Sequence, residues 1–307
     1  MSSSPLTTAD LQAVSARAEK PPREFSGLRT LLFSLLIVVM IGVIWEGAKG
    51  LARAVNYSIP IGDSAIDLSV LTDRQLPHLG QIAAAFVEPS QRNGPPLWQY
   101  LVEAGLFTTW AAVRGFLLGG LIGFLLAIVF AHSSLMQRGL LPYVVASQTV
   151  PILAIAPMVV VWLGRLGNVE LAVPVIAAYL TFFPVTIYTL RGLTSAPPTA
   201  FELMQTYAAT RREILFKLRL PNALPQIFTA LKISATSSVV GAIIGELPSG
   251  IQNGLGIAIL NFARYYDQSP PRLWATIAFA GLIGIAFFAL VAGIERLVVR
   301  WKPEVST

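Results

Sequence analysis

The sequence predicts an all-α integral membrane protein with six transmembrane helices, and three observations carry that reading. First, its 307 residues are 54% hydrophobic and only 12% charged, with a mean hydropathy of +0.66. An ordinary soluble domain carries about 25% charged residues, so too little charge is present to cover a water-facing surface. Second, residues 115–137, 139–164, 171–190 and 273–294 contain no Asp, Glu, Lys or Arg. Each run reaches the ~20 residues that cross a hydrocarbon core. Third, two further apolar runs, Thr30–Trp45 and Pro225–Gly245, become long enough once Glu46 and Lys232 are included.

The elements follow in order. Residues 1–28 form a polar N-terminal tail without a small-residue cleavage site, so the first helix, 29–51, is expected to be retained. Residues 52–104 make an external connection, with an apolar stretch at Ile82–Val87 suited to a short helix on the membrane surface. A five-helix core spans 105–296, with crossings at 105–131, 143–164, 170–190, 224–246 and 273–296. A cytoplasmic loop covers 195–223, and 297–307 is a C-terminal tail. Cytoplasmic loops carry an excess of Lys and Arg. With both termini inside, Arg138, Arg191, Arg211, Arg212, Lys217 and Arg219 all fall on that side.

Several chemistries are excluded. The chain has no cysteine and only two histidines, His78 and His132, which removes thiolate chemistry and multi-histidine metal centres. A phosphate-binding loop needs Gly-Lys followed by Ser or Thr, and no Gly-Lys dipeptide exists. The Gly-x-Ser-x-Gly elbow is also absent. His132, beside Ser133 and Ser134, reads as a helix-end residue and His78 as a solvated loop residue. No catalytic, metal or cofactor site is expected, and the net charge of +6 is attributed to cytoplasmic loops rather than to nucleic-acid binding.

The most informative stretch is Ser195–Pro225. Thr199 with Glu202 three residues later matches a capping box, so a helix is expected from Thr199. Phe201, Met204, Ala208, Leu215 and Leu218 recur at helical spacing and mark an apolar face, while Arg211, Arg212, Lys217 and Arg219 supply a basic one. Pro221 and Pro225 are expected to end this helix and reset the chain before the fifth span. An amphipathic helix lying on anionic headgroups is one reading of it.

These residues also resemble the cytoplasmic loop of permease subunits of ATP-binding-cassette importers, whose pattern is E-A-A-x3-G-x9-I-x-L-P. Glu202, Leu203 and Met204 stand at E-A-A, Ala208 at the glycine and Leu218 at the isoleucine, while Leu220-Pro221 match. The two alanines and the glycine are departures that put the shape of the loop's turn in question. The chain is similar to the nitrate, sulfonate, taurine and bicarbonate branch at further points: Trp45-Glu46, Arg114-Gly115-Phe116, Val150-Pro151 and Ala156-Pro157 kinking the third span, Phe183-Pro184, Leu231-Lys232-Ile233, and Gly245-Glu246 with Gly250, Gly254, Leu255 and Gly256. The resemblance implies a type I importer permease fold. It also implies a second permease copy, most simply a homodimer, cytoplasmic ATPase subunits, an extracellular or periplasmic solute-binding protein, and a bacterial inner membrane as the setting. Glu202, Leu203, Met204, Ala208, Arg211, Arg212, Leu218, Leu220 and Pro221 become the candidate coupling loop.

The remaining charged residues have two readings each. Glu202 contacts the ATPase or caps its own helix. Lys232 lines the translocation path or snorkels to the headgroups. Glu246 gates or docks at the external end of the fifth span, or is an interfacial carboxylate in water. Glu46 bonds between helices or marks the end of the first span, and Arg114 reads as an interfacial anchor. For the solute, Gln205–Ala209 and Gly245–Gly256 look closer to carriers of pyrimidine-type vitamin precursors and flavins, with nitrate, sulfonate, taurine and bicarbonate open. The other class in view is a stand-alone secondary transporter or channel, which would be expected to place Asp or Glu mid-span.

Overall fold

A computed structural model of the chain describes residues 27–61 and 64–299, so the tails expected at 1–28 and 297–307 lie almost wholly outside the described residues. The chain divides into two units at Leu79 and Gly80.

The first unit is built on α1, Gly27–Ala54, whose Leu35, Val38, Val43 and Ile44 are all exposed. A helix apolar on every side is one solvated by lipid. Asn56 and Tyr57, with φ of 50° and 57°, turn the chain into a hairpin of β1, Ser58–Ile61, and β2, Ser64–Asp67, in which Ile59 pairs with Ile66. The all-α reading passes over this hairpin, although Gly62-Asp63 between two Ile-containing runs is a hairpin signal.

The second unit begins with α2, Leu79–Ala85, which overlaps the short helix expected at Ile82–Val87. The helix α3, Leu97–His132, starts well before the expected 105, because a helix need not stop where the hydrocarbon does. Next come α4, Ser134–Ser147, and α5, Ile152–Arg165. They correct the single third span at 143–164: the two are bent by 97° at the break. The cause is local. Pro151 has no N–H to give an upstream carbonyl and disfavours helical geometry at Val150, so the chain turns there instead of kinking. The helix α6, Ala172–Thr194, is followed by the loop at 195–219, α8, Leu220–Ser249, α9, Leu255–Arg264, and α10, Pro270–Val298. The loop's own helix, α7, is Pro198–Thr206. Among the described residues five helices are long and apolar enough to cross a membrane, and the bent α4–α5 pair makes a sixth span if taken as one.

The core is α6 clasped between α3 and α8. Gly115, Gly119 and Gly123 recur every four residues on α3 and face α6. A Cβ added to Gly119 would sit 2.8 Å from Cβ of Thr181, and one on Gly123 2.9 Å from that of Val185. From the other side Gly241 of α8 meets Ala177, whose Cα would be 2.7 Å from an added Cβ. Lipid-solvated helices gain little from burying leucines against each other, so close approach over small residues supplies the packing. Along this seam Thr181 and Thr186 donate to carbonyls of their own helix, Ala177 (2.9 Å) and Phe182 (2.7 Å), and Ser234 of α8 donates across to Thr181 O (3.2 Å). The buried Thr189 hydroxyl has no hydrogen-bond partner among the described residues. The apolar cluster of Ala111, Val173, Val239 and Phe287 brings α10 onto the same core.

Candidate functional site

Within the loop between α6 and α8, α7 begins on Pro197 as its N-cap with Pro198 in the first turn, and no side chain caps it. The capping box expected from Thr199 and Glu202 is therefore not formed. Proline preset to helical φ occupies the start of the helix, and Thr199 lies inside the turn. The Glu202 carboxylate makes no hydrogen bond or ion pair among the described residues, so its reading as a helix cap falls. The box forms instead further along the loop, at Thr210 and Glu213. Thr210 Oγ1 accepts from Glu213 N at 3.3 Å, Glu213 Oε2 accepts from Thr210 N at 2.9 Å, and Lys217 Nζ holds Oε1 at 3.0 Å.

Between these two starts the expected helix through Leu218 is broken. Ala209 N donates to Met204 O at 3.0 Å and Ala208 N to Gln205 O at 2.8 Å, the bond pair of a Schellman helix end. Ala208 takes the left-handed conformation, φ 51°. This is the position where the resembled pattern has glycine, and the alanine adopts the same turn against a steric cost of about 1 kcal/mol.

The chain resumes through Arg211–Glu213 and a π-helical turn, Ile214–Arg219, that runs straight into α8. Pro221 and Pro225 therefore do not end a helix, contrary to expectation. Pro221 lies in the first turn of α8, behind the wider turn, which relieves the clash a proline ring makes with the carbonyl four residues before it.

Arg219 fastens the loop to the membrane helices. Its Nη1 donates to Ala131 O at 2.6 Å, and its guanidinium lies 5.2 Å from the centre of the Phe201 ring. With Phe201 and Met204 turned inward, α7 leaves Glu202, Leu203 and Tyr207 exposed, the last two at 57% and 76%. Arg211 and Arg212 are exposed beyond the turn, whereas Leu218, Leu220 and Pro221 are half-buried.

The candidate path residues are scattered. Lys232 Nζ pairs with Glu295 of α10 at 2.7 Å, both side chains little more than a fifth exposed, so it neither snorkels alone nor stands free in a channel. Glu246 is fully buried, unlike an interfacial carboxylate in water. It accepts from Thr108 Oγ1 at 2.7 Å and from Gly256 N at 2.7 Å, while Leu255 N donates to Thr108 at 2.9 Å. Gly254, at φ 118°, leaves the space: a Cβ there would fall 2.5 Å from the Glu246 Oε2. This cluster ties α3, α8 and the start of α9 together. Arg114 lies over the Trp110 ring at 5.6 Å, in keeping with an anchor.

Glu46 belongs to the first unit. Its carboxylate accepts from Leu79 N at 2.7 Å and meets His78 Nδ1 at 2.6 Å, while His78 Nε2 lies 3.1 Å from Asp73. His78 is thus a member of an ion cluster and not a solvated loop residue. Lys49, almost fully buried, completes it through Asp73 at 2.8 Å and the carbonyl of Leu76. The Lys49 hydrogen bond holds the Asp73 carboxyl below its ordinary range. Sequence reasoning missed Asp73, Thr108, Thr210, Glu213 and Glu295. Only the Thr210–Glu213 spacing carried a readable signal.

Among the described residues the arrangement is a set of packed spans with a short helix, α7, held on the loop between two of them. Residues 119–300 match the family described as "Binding-protein-dependent transport system inner membrane component", and the chain belongs to that family of ATP-binding-cassette importer permeases. It is 35% identical over 190 residues to a formylaminopyrimidine transport permease of Halalkalibacterium halodurans, covering 62% of this chain and 74% of that one. It is 32% identical over 208 residues to a riboflavin transport permease of Chloroflexus aurantiacus, covering 68% and 74%. It is 28% identical over 260 residues to a putative aliphatic sulfonates permease of Escherichia coli, covering 83% and 94%.

The protein is accordingly a multi-pass inner-membrane permease of an importer for small polar solutes. It works in lipid with an ATPase subunit, on which ATP is hydrolysed, and with a solute-binding protein. The reading as a stand-alone secondary transporter or channel does not hold.

Proposed function

We propose that this permease imports a planar nitrogen heterocycle of the pyrimidine or flavin kind, as a homodimer whose two copies form the path. The supporting observation is the order of the relatives. Two relatives above 30% identity are named for formylaminopyrimidine and riboflavin, while four named for sulfonates, nitrate and taurine stand at 28%. Uptake of labelled pyrimidine precursor, riboflavin, taurine and nitrate into cells with and without the gene is the test. A deficit confined to taurine or nitrate would sink the heterocycle reading.

In this reading both termini are cytoplasmic and α7 is the coupling element, its exposed Glu202, Leu203 and Tyr207 entering a groove of the ATPase. Closure of the ATPase pair then moves the spans as rigid bodies between outward-open and inward-open states. Because Glu202 caps nothing, Glu202→Gln and Glu202→Arg both leave α7 intact, so any loss reports the partner contact. Reversing a charge in a partly buried contact costs roughly 2–5 kcal/mol. Glu202→Arg is expected to lose the ATPase on co-purification and Glu202→Gln to weaken it mildly. Full retention by Glu202→Arg would move the coupling role to another part of α7.

A further inference from the structure

A pocket of about 240 Å³ opens where the end of α3 meets the lead-in to α8. It is lined by Ala131, His132, Arg211, Ile214 and Arg219. At ~30 Å³ per water, it has room for a tetrahedral anion and part of its hydration shell.

Its chemistry is one-sided. Two guanidinium groups and an imidazole line it, and no carboxylate does. The acid nearest in sequence, Glu213, is already committed to Thr210 and Lys217. Arg219 spends Nη1 on Ala131 O, and among the described residues its Nη2 has no hydrogen-bond partner. The half-exposed guanidinium therefore keeps donors free to meet an anion. His132 has Nδ1 engaged by Ile128 O at 2.8 Å, which leaves Nε2 as the ring atom available to a ligand. The fork of an arginine matches the oxygens of a phosphate. Next to this pocket in the chain stand the exposed apolar side chains of Leu135, Met136 and Phe216, a surface for acyl chains rather than for water.

We propose that the pocket of His132, Arg211 and Arg219 binds a phosphate group, supplied in the membrane by the headgroup of an anionic phospholipid. A phosphate held there ties the end of α3 to the segment that carries the cytoplasmic loop, so the loop's seat depends on the lipid around it. The site is independent of the imported solute.

The test uses the full chain in nanodiscs of phosphatidylcholine with and without phosphatidylglycerol. Native mass spectrometry reads the phosphatidylglycerol kept by the released protein. Arg211→Gln, on an exposed side chain, is expected to reduce that retention about tenfold, the weight of one charge-assisted hydrogen bond. Arg219→Gln does the same, but it also removes the bond to Ala131, so Arg211→Gln is the variant that decides if Arg219→Gln unfolds. Arg138→Gln, an exposed arginine outside the pocket, is expected to retain lipid as the parent does. In a second arm, inorganic phosphate is added to phosphatidylcholine nanodiscs and its phosphorus resonance is followed. Arg211-dependent lipid retention without broadening identifies the headgroup, and Arg211-dependent broadening without lipid preference identifies a soluble phosphate. Retention and resonance that are the same for the parent and Arg211→Gln overturn the proposal, as does equal loss with Arg138→Gln.

Discussion

At Glu246 a fully buried carboxylate receives the hydroxyl of Thr108 and the amide of Gly256; without it Thr108 can fall back on Ala104 O at 3.1 Å, but the Gly256 amide is stranded. Glu246→Ala is expected to cost about 2–4 kcal/mol, from that unpaired amide and the cavity left behind. Glu246→Gln keeps an acceptor for Gly256 and an amide that Thr108 can accept, and should cost about 1 kcal/mol or less. Thermal unfolding in detergent separates the two, and equal losses would deny the hydrogen-bonding account. Asp73 makes a pH prediction. Its carboxyl is held low chiefly by the Lys49 hydrogen bond, so its contribution is fully present above the unfolded value of about 4 and is lost as pH falls through the lower folded value. Asp73 is 44% exposed, which keeps the effect modest. Hydrogen exchange over residues 64–79 should rise as pH is lowered below about 4, after correction for the intrinsic rate. Lys49→Met should remove most of that dependence, and an unchanged profile would deny Lys49 its role.

Among the elements, α3 has one face that tolerates no side chain and one that tolerates any. Gly119→Val would press on Thr181 of α6, whereas Gly120, one position on, has nothing within 4 Å of an added Cβ. Overpacking in a tight seam costs about 1–3 kcal/mol or more, so Gly119→Val should lower yield and melting temperature while Gly120→Val stays near the parent. Counting charge-free runs located α3, α6 and α10, and α8 once Lys232 was allowed within a run, since exclusion of charge from hydrocarbon is a one-dimensional constraint. It could not read helix ends that continue through the headgroups, such as Leu97–Ala104, because water and lipid both tolerate them. Nor could it tell a kink at Pro151 from a 97° break, which depends on what packs around the freed backbone. The loop between α6 and α8 was legible in its place in the chain, but not in its division at Ala208. A non-glycine residue with positive φ is uncommon enough that the pattern argues against it. Pairings such as Glu46 with His78, or Lys232 with Glu295, join residues too far apart in sequence for spacing to reveal.

For the whole molecule, the inside-to-outside placement makes the remaining prediction. With both termini cytoplasmic, cysteines introduced at Arg92 and Arg264 should react with an impermeant thiol reagent in intact cells, and those at Arg138 and Arg211 should not. The chain has no native cysteine to confuse the result. Labelling at Arg211→Cys with protection at Arg92→Cys would invert the topology.

The Lys232–Glu295 pair also bears on how the protein is made. Translation delivers α8 to the insertion machinery before Glu295 has been synthesised, so the fifth span has to enter the bilayer with an unpartnered ammonium. Lysine at a span centre costs about 2.5–3.5 kcal/mol on insertion, less when the side chain can reach towards the headgroups. The apolar residues on either side of Lys232 must offset that cost alone. The ion pair closes only when α10 arrives, so a chain stopped short of its last helix keeps an unneutralised charge in the fifth span.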